Sequence, residues 1–175
     1  MEVIDNFLSP EEFDNLHLLI MGREFPWFFR PNIDYEDDVD KYQFSHDFYF
    51  GYQSHSTYIN ELTPILNKLN PLSLIRIKAN LLLRTSEIRE NLFHHDISDY
   101  DDPTTRETIY PDKLKQLSTA IFYVNTNNGY TKFVDGEIIE SIGNRMLIFP
   151  TNMQHKGTSC SDQKTRVVIN FNYFK

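Results

Sequence analysis

Hydrophobic positions change their period partway along the chain. Before residue 74 they recur mostly at helical spacing, and from Leu74 onward they alternate. Residues 3–8 read as a short strand. Ser9, Pro10 and Glu12 then set out a helix start, with Ser9 as the cap, Pro10 in the first turn and Glu12 closing a capping box. Phe13, Leu16, Leu19 and Ile20 follow on one helical face, and Phe25, Pro26 and Trp27 break the helix. Residues 44–52 are aromatic and strand-like. Tyr58, Leu62, Ile65 and Leu69 fit a second amphipathic helix, closed by Asn70 and Pro71.

In residues 74–84, Ile75, Ile77, Ala79, Leu81 and Leu83 alternate with Arg76, Lys78, Asn80, Leu82 and Arg84. Residues 118–125, 137–140, 145–149 and 165–174 are further strands. Turn residues separate several of these runs, notably Asn128-Gly129, Asp135-Gly136 and Gly143-Asn144. In the last strand Arg166, Val168, Asn170 and Asn172 share one face, while Val167, Ile169, Phe171 and Tyr173 share the other. The apolar set suits packing against helices, which leaves the polar set facing a barrel interior.

Helices first and strands later give an α+β class. The expected architecture is a double-stranded β-helix (jelly-roll) barrel with the N-terminal helices packed on one sheet. One domain is expected over 1–175, with 1–73 as helical support and 74–175 as the jelly-roll core. Two polar stretches fit no element. Residues 32–41 form an acidic, turn-prone loop that favours water. Residues 97–117 are long, polar and carry two prolines; connections of that length are usually functional, so a lid over a site is expected there.

Composition narrows the function. The 175 residues fit one domain with a real core. The net charge of −8 disfavours a broad phosphate-binding surface, and so weighs against nucleic acid as a partner. Cys160 is the only cysteine, so no internal disulfide forms and a reducing cytoplasm is the expected setting. No stretch approaches the roughly 20 apolar residues that span a bilayer, so no membrane partner is expected.

The candidate chemistry lies in the strand-rich half. Two imidazoles and a carboxylate hold non-haem Fe(II) on one face and leave positions open. His94 and Asp96, two apart on an extended segment, point the same way, and His155 supplies a third ligand from elsewhere in the barrel. His95, between them, should face away. The short pattern by itself is weak, because a chain with six histidines and many aspartates reaches it readily by chance. Arg166 strengthens it. An interior guanidinium needs an anion, and a carboxylate of 2-oxoglutarate would accept its fork.

Several ordered segments resemble the Fe(II)/2-oxoglutarate-dependent dioxygenases, in particular their prolyl-4-hydroxylase-like microbial and phage branch. They are Phe93 to Asp96, residues 118–125, Asn128 to Phe133, Asn144 to Pro150, His155 to Gly157 and Arg166 to Phe171, with the opening 4–13. The resemblance implies that His94, Asp96 and His155 bind iron and that Arg166 binds the distal carboxylate of 2-oxoglutarate. It places Thr131 beside the co-substrate, with Tyr123 also in the cleft. Where such relatives carry a tyrosine before the first ligand, this chain has Arg84 and Thr85, which leaves Arg84 or Asn80 as a second anchor. The implied cofactors are Fe(II), 2-oxoglutarate and O2, with ascorbate as a possible reductant. The implied activity is hydroxylation of a peptide side chain, prolyl among them, or of a small molecule, with release of succinate and CO2. Two alternatives are a nucleic-acid demethylase of the same superfamily and a non-catalytic jelly-roll binding module.

Overall fold

The computed structural model describes residues 1–33, 41–97 and 115–175. Residues 98–114 of the expected lid and 34–40 of the acidic loop lie outside these residues.

The chain opens with β1 (Glu2–Ile4) and α1 (Pro10–Ile20). The capping box at Ser9 is formed: the Glu12 amide donates to Ser9 Oγ, and the Glu12 carboxylate accepts from the Ser9 amide at 2.9 Å. Leu16 and Ile20 are buried, and Phe13 and Leu19 pack against the same core. β2 (Phe28–Arg30), β3 (Gln43–Phe50) and β4 (Gln53–Ser54) follow.

The second helical region splits in two. A 3-10 helix covers Thr57–Leu62 and α2 covers Thr63–Leu69. Pro64 sits in the first turn of α2 and has no N–H to continue a ladder from the preceding turn, which explains the break. Asn70 ends α2 in the left-handed conformation, at φ 47°.

The remaining strands are β5 (Ser73–Leu83), β6 (Leu117–Tyr123), β7 (Tyr130–Phe133), β8 (Ile138–Glu140), β9 (Arg145–Pro150), β10 (His155–Gly157) and β11 (Thr165–Phe174). All pair antiparallel. The large sheet runs β1-β9-β6-β11-β5-β3-β2, with β4 beside β3, and the small one runs β10-β7-β8. The segment before residue 74 therefore contributes strands to the large sheet as well as helices.

The strand β11 holds the molecule together, lying between β5 and β6. Its Val167, Ile169, Phe171 and Tyr173 are buried in the main core with Leu16, Ile20, Leu62 and Ile65 from the helices. Its Arg166, Val168 and Asn170 line a cavity between the two sheets, as strict alternation requires. The helices thus cover one face of the large sheet and free the other for chemistry. The fold is a double-stranded β-helix.

Candidate metal centre

The segment before β6 carries His94 and Asp96, and β10 begins at His155. His94 and His155 form an isolated antiparallel bridge. The His94 amide donates to the His155 carbonyl at 2.9 Å, and the His155 amide returns the bond at 3.1 Å. Backbone pairing therefore sets two imidazoles side by side, with ring centroids 4.8 Å apart.

Both rings present the same nitrogen. Nδ1 of His94 lies 3.1 Å from the Leu92 carbonyl and Nδ1 of His155 lies 3.3 Å from the Met153 carbonyl. Each Nδ1 therefore faces a backbone carbonyl, and each Nε2 faces Asp96. Those Nε2 atoms lie 3.6 Å and 3.7 Å from Asp96 Oδ1. The three donor atoms all fall within 4.8 Å of one another. A first-row divalent ion sits about 2.1 Å from such ligands, so donors up to about 4.2 Å apart share one ion after at most a small closing rotation. Two imidazoles and one carboxylate fit ferrous iron, and no thiolate lies in the set.

The carboxylate is held from behind. Asn172 Nδ2 donates to Asp96 Oδ2 at 3.0 Å and also to Thr119 Oγ1 at 3.0 Å. Arg76 lies 3.5 Å from Asp96 Oδ1, and its Nε donates to Asn172 Oδ1 at 3.0 Å. Burial pushes the Asp96 pKa up. The His94 hydrogen bond and the charges of Arg76, His155 and His94 more than reverse that, and hold it well below the usual carboxylate range. Burial lowers the pKa of His155, which Asp96 only partly offsets, and this favours the neutral ring. His94 has 42% of its side chain exposed and forms the open edge of the site. Phe149 packs edge-on to His155, at a centroid distance of 4.8 Å.

A cavity of about 340 Å³ extends from this triad to Arg166. Arg166 is 3% exposed, and no carboxylate pairs with it among the described residues. Its Nε donates to Ser141 Oγ at 2.8 Å and one terminal nitrogen donates to Thr131 Oγ1 at 3.3 Å. Tyr123 is fully buried; its hydroxyl donates to Thr131 at 2.8 Å, and the guanidinium carbon lies 5.8 Å from its ring. Burial pulls the Arg166 pKa down, opposed by Tyr123 and Cys160. An enclosed cation with only neutral partners is costly unless an anion joins it.

The structure brings together His94, Asp96, His155, Thr131, Asn80 and Arg166 around one cavity. Tyr123 stands behind that wall, against Thr131. Arg84 lies elsewhere: it is exposed and borders a separate cavity of about 90 Å³. The reason is register. Leu82 is the β5 residue opposite Arg166, and β5 ends at Leu83, one residue before Arg84. His95 is no part of the ligand group, although it borders the cavity. Sequence reasoning missed Ser141, which meets Arg166, and the roles of Asn172 and Arg76 behind Asp96. The alternation of β5 and β11 had put Arg76 and Asn172 on polar faces; which atoms they meet is a matter of strand register.

No family model matches the chain, and no curated protein sequence matches it. Solved structures do. A prolyl hydroxylase from Trichoplax adhaerens, in complex with a peptide fragment of the hypoxia inducible factor oxygen degradation domain, is 11% identical with a TM-score of 0.64, over 99% of this chain and 82% of that one. A viral collagen prolyl hydroxylase from Paramecium Bursaria Chlorella virus-1 is 15% identical with a TM-score of 0.55, over 99% and 90%. HygX from Streptomyces hygroscopicus, solved with nickel, 2-oxoglutarate and hygromycin B bound, is 10% identical with a TM-score of 0.61, over 98% and 81%. The chain thus has the fold of the 2-oxoglutarate/Fe(II) oxygenases. No described helix is long and apolar enough to cross a membrane.

Proposed function

We propose that this protein is an Fe(II)- and 2-oxoglutarate-dependent dioxygenase that hydroxylates a peptide side chain or a small molecule. The observation that carries the reading is the pairing of a two-histidine, one-aspartate cluster with a buried, acid-free arginine at the far side of the same cavity. In this reading His94, Asp96 and His155 hold the iron. Asn172 and Arg76 keep the Asp96 carboxylate ionised and turned toward it. Arg166 binds the distal carboxylate of the keto acid, while Ser141 and Thr131 fix the guanidinium in orientation. Tyr123 holds the Thr131 hydroxyl. Phe149 and Phe133 screen His155 from water. The bound iron, keto acid and O2 together would supply the oxidation, with one oxygen atom entering the substrate C–H bond and the other leaving in succinate beside CO2.

Anaerobic titration with Fe(II) and 2-oxoglutarate tests this. The expected result is the weak visible charge-transfer band of the chelate. The band should be absent in His155→Ala, and should need far more keto acid in Arg166→Ala. No band from the wild-type protein would overturn the reading. A demethylase acting on nucleic acid is less well supported, because the chain is acidic and the cavity is small.

A further inference from the structure

The cavity holds more positive charge than the proposed reaction uses. Among the described residues, Arg76, Lys78 and Arg166 line it against a single carboxylate, Asp96. A divalent metal adds two charges, and a keto-diacid returns only two. The surplus has an address. Arg166 has its role at one end, and Arg76 is engaged by Asp96 and Asn172 at the other.

Lys78 lies between them on β5, opposite Asn170 of β11. It is partly buried and makes no hydrogen bond or ion pair with any described residue. Its neighbour across β3, Asp47, is taken by Arg30 at 2.7 Å. The amide oxygens of Asn80 and Asn170, on the same stretch of wall, are buried without a hydrogen-bond partner. A cation and two acceptors without partners among the described residues make a polar patch suited to a ligand.

We propose that Lys78 is a substrate-binding residue that takes a carboxylate of the substrate, so that the enzyme acts on an acidic side chain or small acid. The inference rests on the dioxygenase reading, which assigns the co-substrate's two ends elsewhere. Asn80 and Asn170 supply acceptors for an N–H or O–H of the same molecule. Size agrees: about 340 Å³ is near the small end of ligand pockets, roughly 300–1,000 Å³, and the keto acid must share it. Burial, with help from Arg76, depresses the Lys78 pKa, as expected of a cation waiting for an anion.

The test uses the protein loaded with Fe(II) and 2-oxoglutarate without oxygen. The probes are N-acetylglutamate amide against N-acetylglutamine amide, and the matching aspartate and asparagine pair. Calorimetry should show an acid member binding at least about tenfold more tightly than its neutral isostere. Lys78→Met should erase that preference and Lys78→Arg should keep it, while both leave the 2-oxoglutarate affinity within about twofold. Metal-free Lys78→Met should melt at a higher temperature than the wild type, because an unpartnered cation has been removed. A normal chelate band with no acid preference overturns this inference alone. So does a large loss of 2-oxoglutarate affinity in Lys78→Met, which would give the lysine to the co-substrate, or a lower melting temperature, which would make it structural. Failure of the wild-type protein to form the band would overturn the dioxygenase reading and this inference with it.

Discussion

Asn172 shows how much a single polar side chain decides. Its amide links Asp96, Thr119 and Arg76, and so fixes the direction in which the carboxylate points. Partners behind a metal ligand are commonly worth about 10–100-fold in metal affinity. Asn172→Ala should weaken Fe(II) binding by that order in a calorimetric titration, with the fold intact by circular dichroism. An unchanged affinity would show that Arg76 alone orients the carboxylate. Gly129 matters for a different reason. A Cβ there would lie 2.7 Å from Arg166 Cδ and 2.7 Å from the Ser159 carbonyl oxygen. Gly129→Ala should push the guanidinium off Ser141, destabilise the protein by about 1–3 kcal/mol and weaken 2-oxoglutarate binding; urea denaturation and keto-acid titration check both. His94, Asp96, His155 and Arg166 were legible as residues because their chemistry is unusual. Arg84 stands off the cavity because β5 ends at Leu83, and a charge beside a strand gives no sign of where the strand ends.

At the scale of elements, α1 illustrates local determination. Its boundary is written in Ser9, Pro10 and Glu12, which act on backbone groups within one turn. Ser9→Ala should cost about 1 kcal/mol in a urea titration, the usual loss for a helix cap. The stretch leading to His94 is held by distant partners, through backbone bonds to residues 155–159 and through side chains. Glu90 meets Lys156 at 2.5 Å, Tyr130 at 2.8 Å and Lys132 at 3.3 Å, and Lys156 lies 4.2 Å from the Phe93 ring centroid. The Lys156 contact first, then Tyr130 and, more weakly, Lys132, pull the Glu90 pKa from 4.5 to about 2. A folded-state pKa below the unfolded one gives stability that is present above about 4.5 and lost as pH falls toward about 2. The wild type should therefore resist urea better than Glu90→Gln at neutral pH, with the gap closing across that acid window. A gap that persists below it would show packing rather than charge. The short strands β2, β7 and β10 had no readable signal. At three or four residues each, they owe their form to a partner and not to their own pattern.

Across the whole molecule, the candidate centre joins the two sheets. His155 belongs to the small one, and Asp96 is hydrogen-bonded to Asn172 of the large one. A metal that binds only the folded chain should stabilise it by about 2.7 kcal/mol at a hundredfold excess over Kd. For 175 residues each kcal/mol moves the melting point by about 2–4 °C. Chelation should reverse the rise, and His155→Ala should show none; a metal-induced rise that survives in that variant would place the ion elsewhere.

The sequence by itself determined the class of fold, the helix start at Ser9, the two faces of β11 and the residue types able to hold a metal and a diacid. These follow from alternation, capping and donor chemistry, which act between near neighbours. Only the tertiary structure decided which groups meet: His94 with His155 through a backbone bridge, Asn172 and Arg76 behind Asp96, and Lys78 on the cavity wall without a partner among the described residues. Register between distant strands sets those encounters, and a one-residue slip would send each side chain to the opposite face.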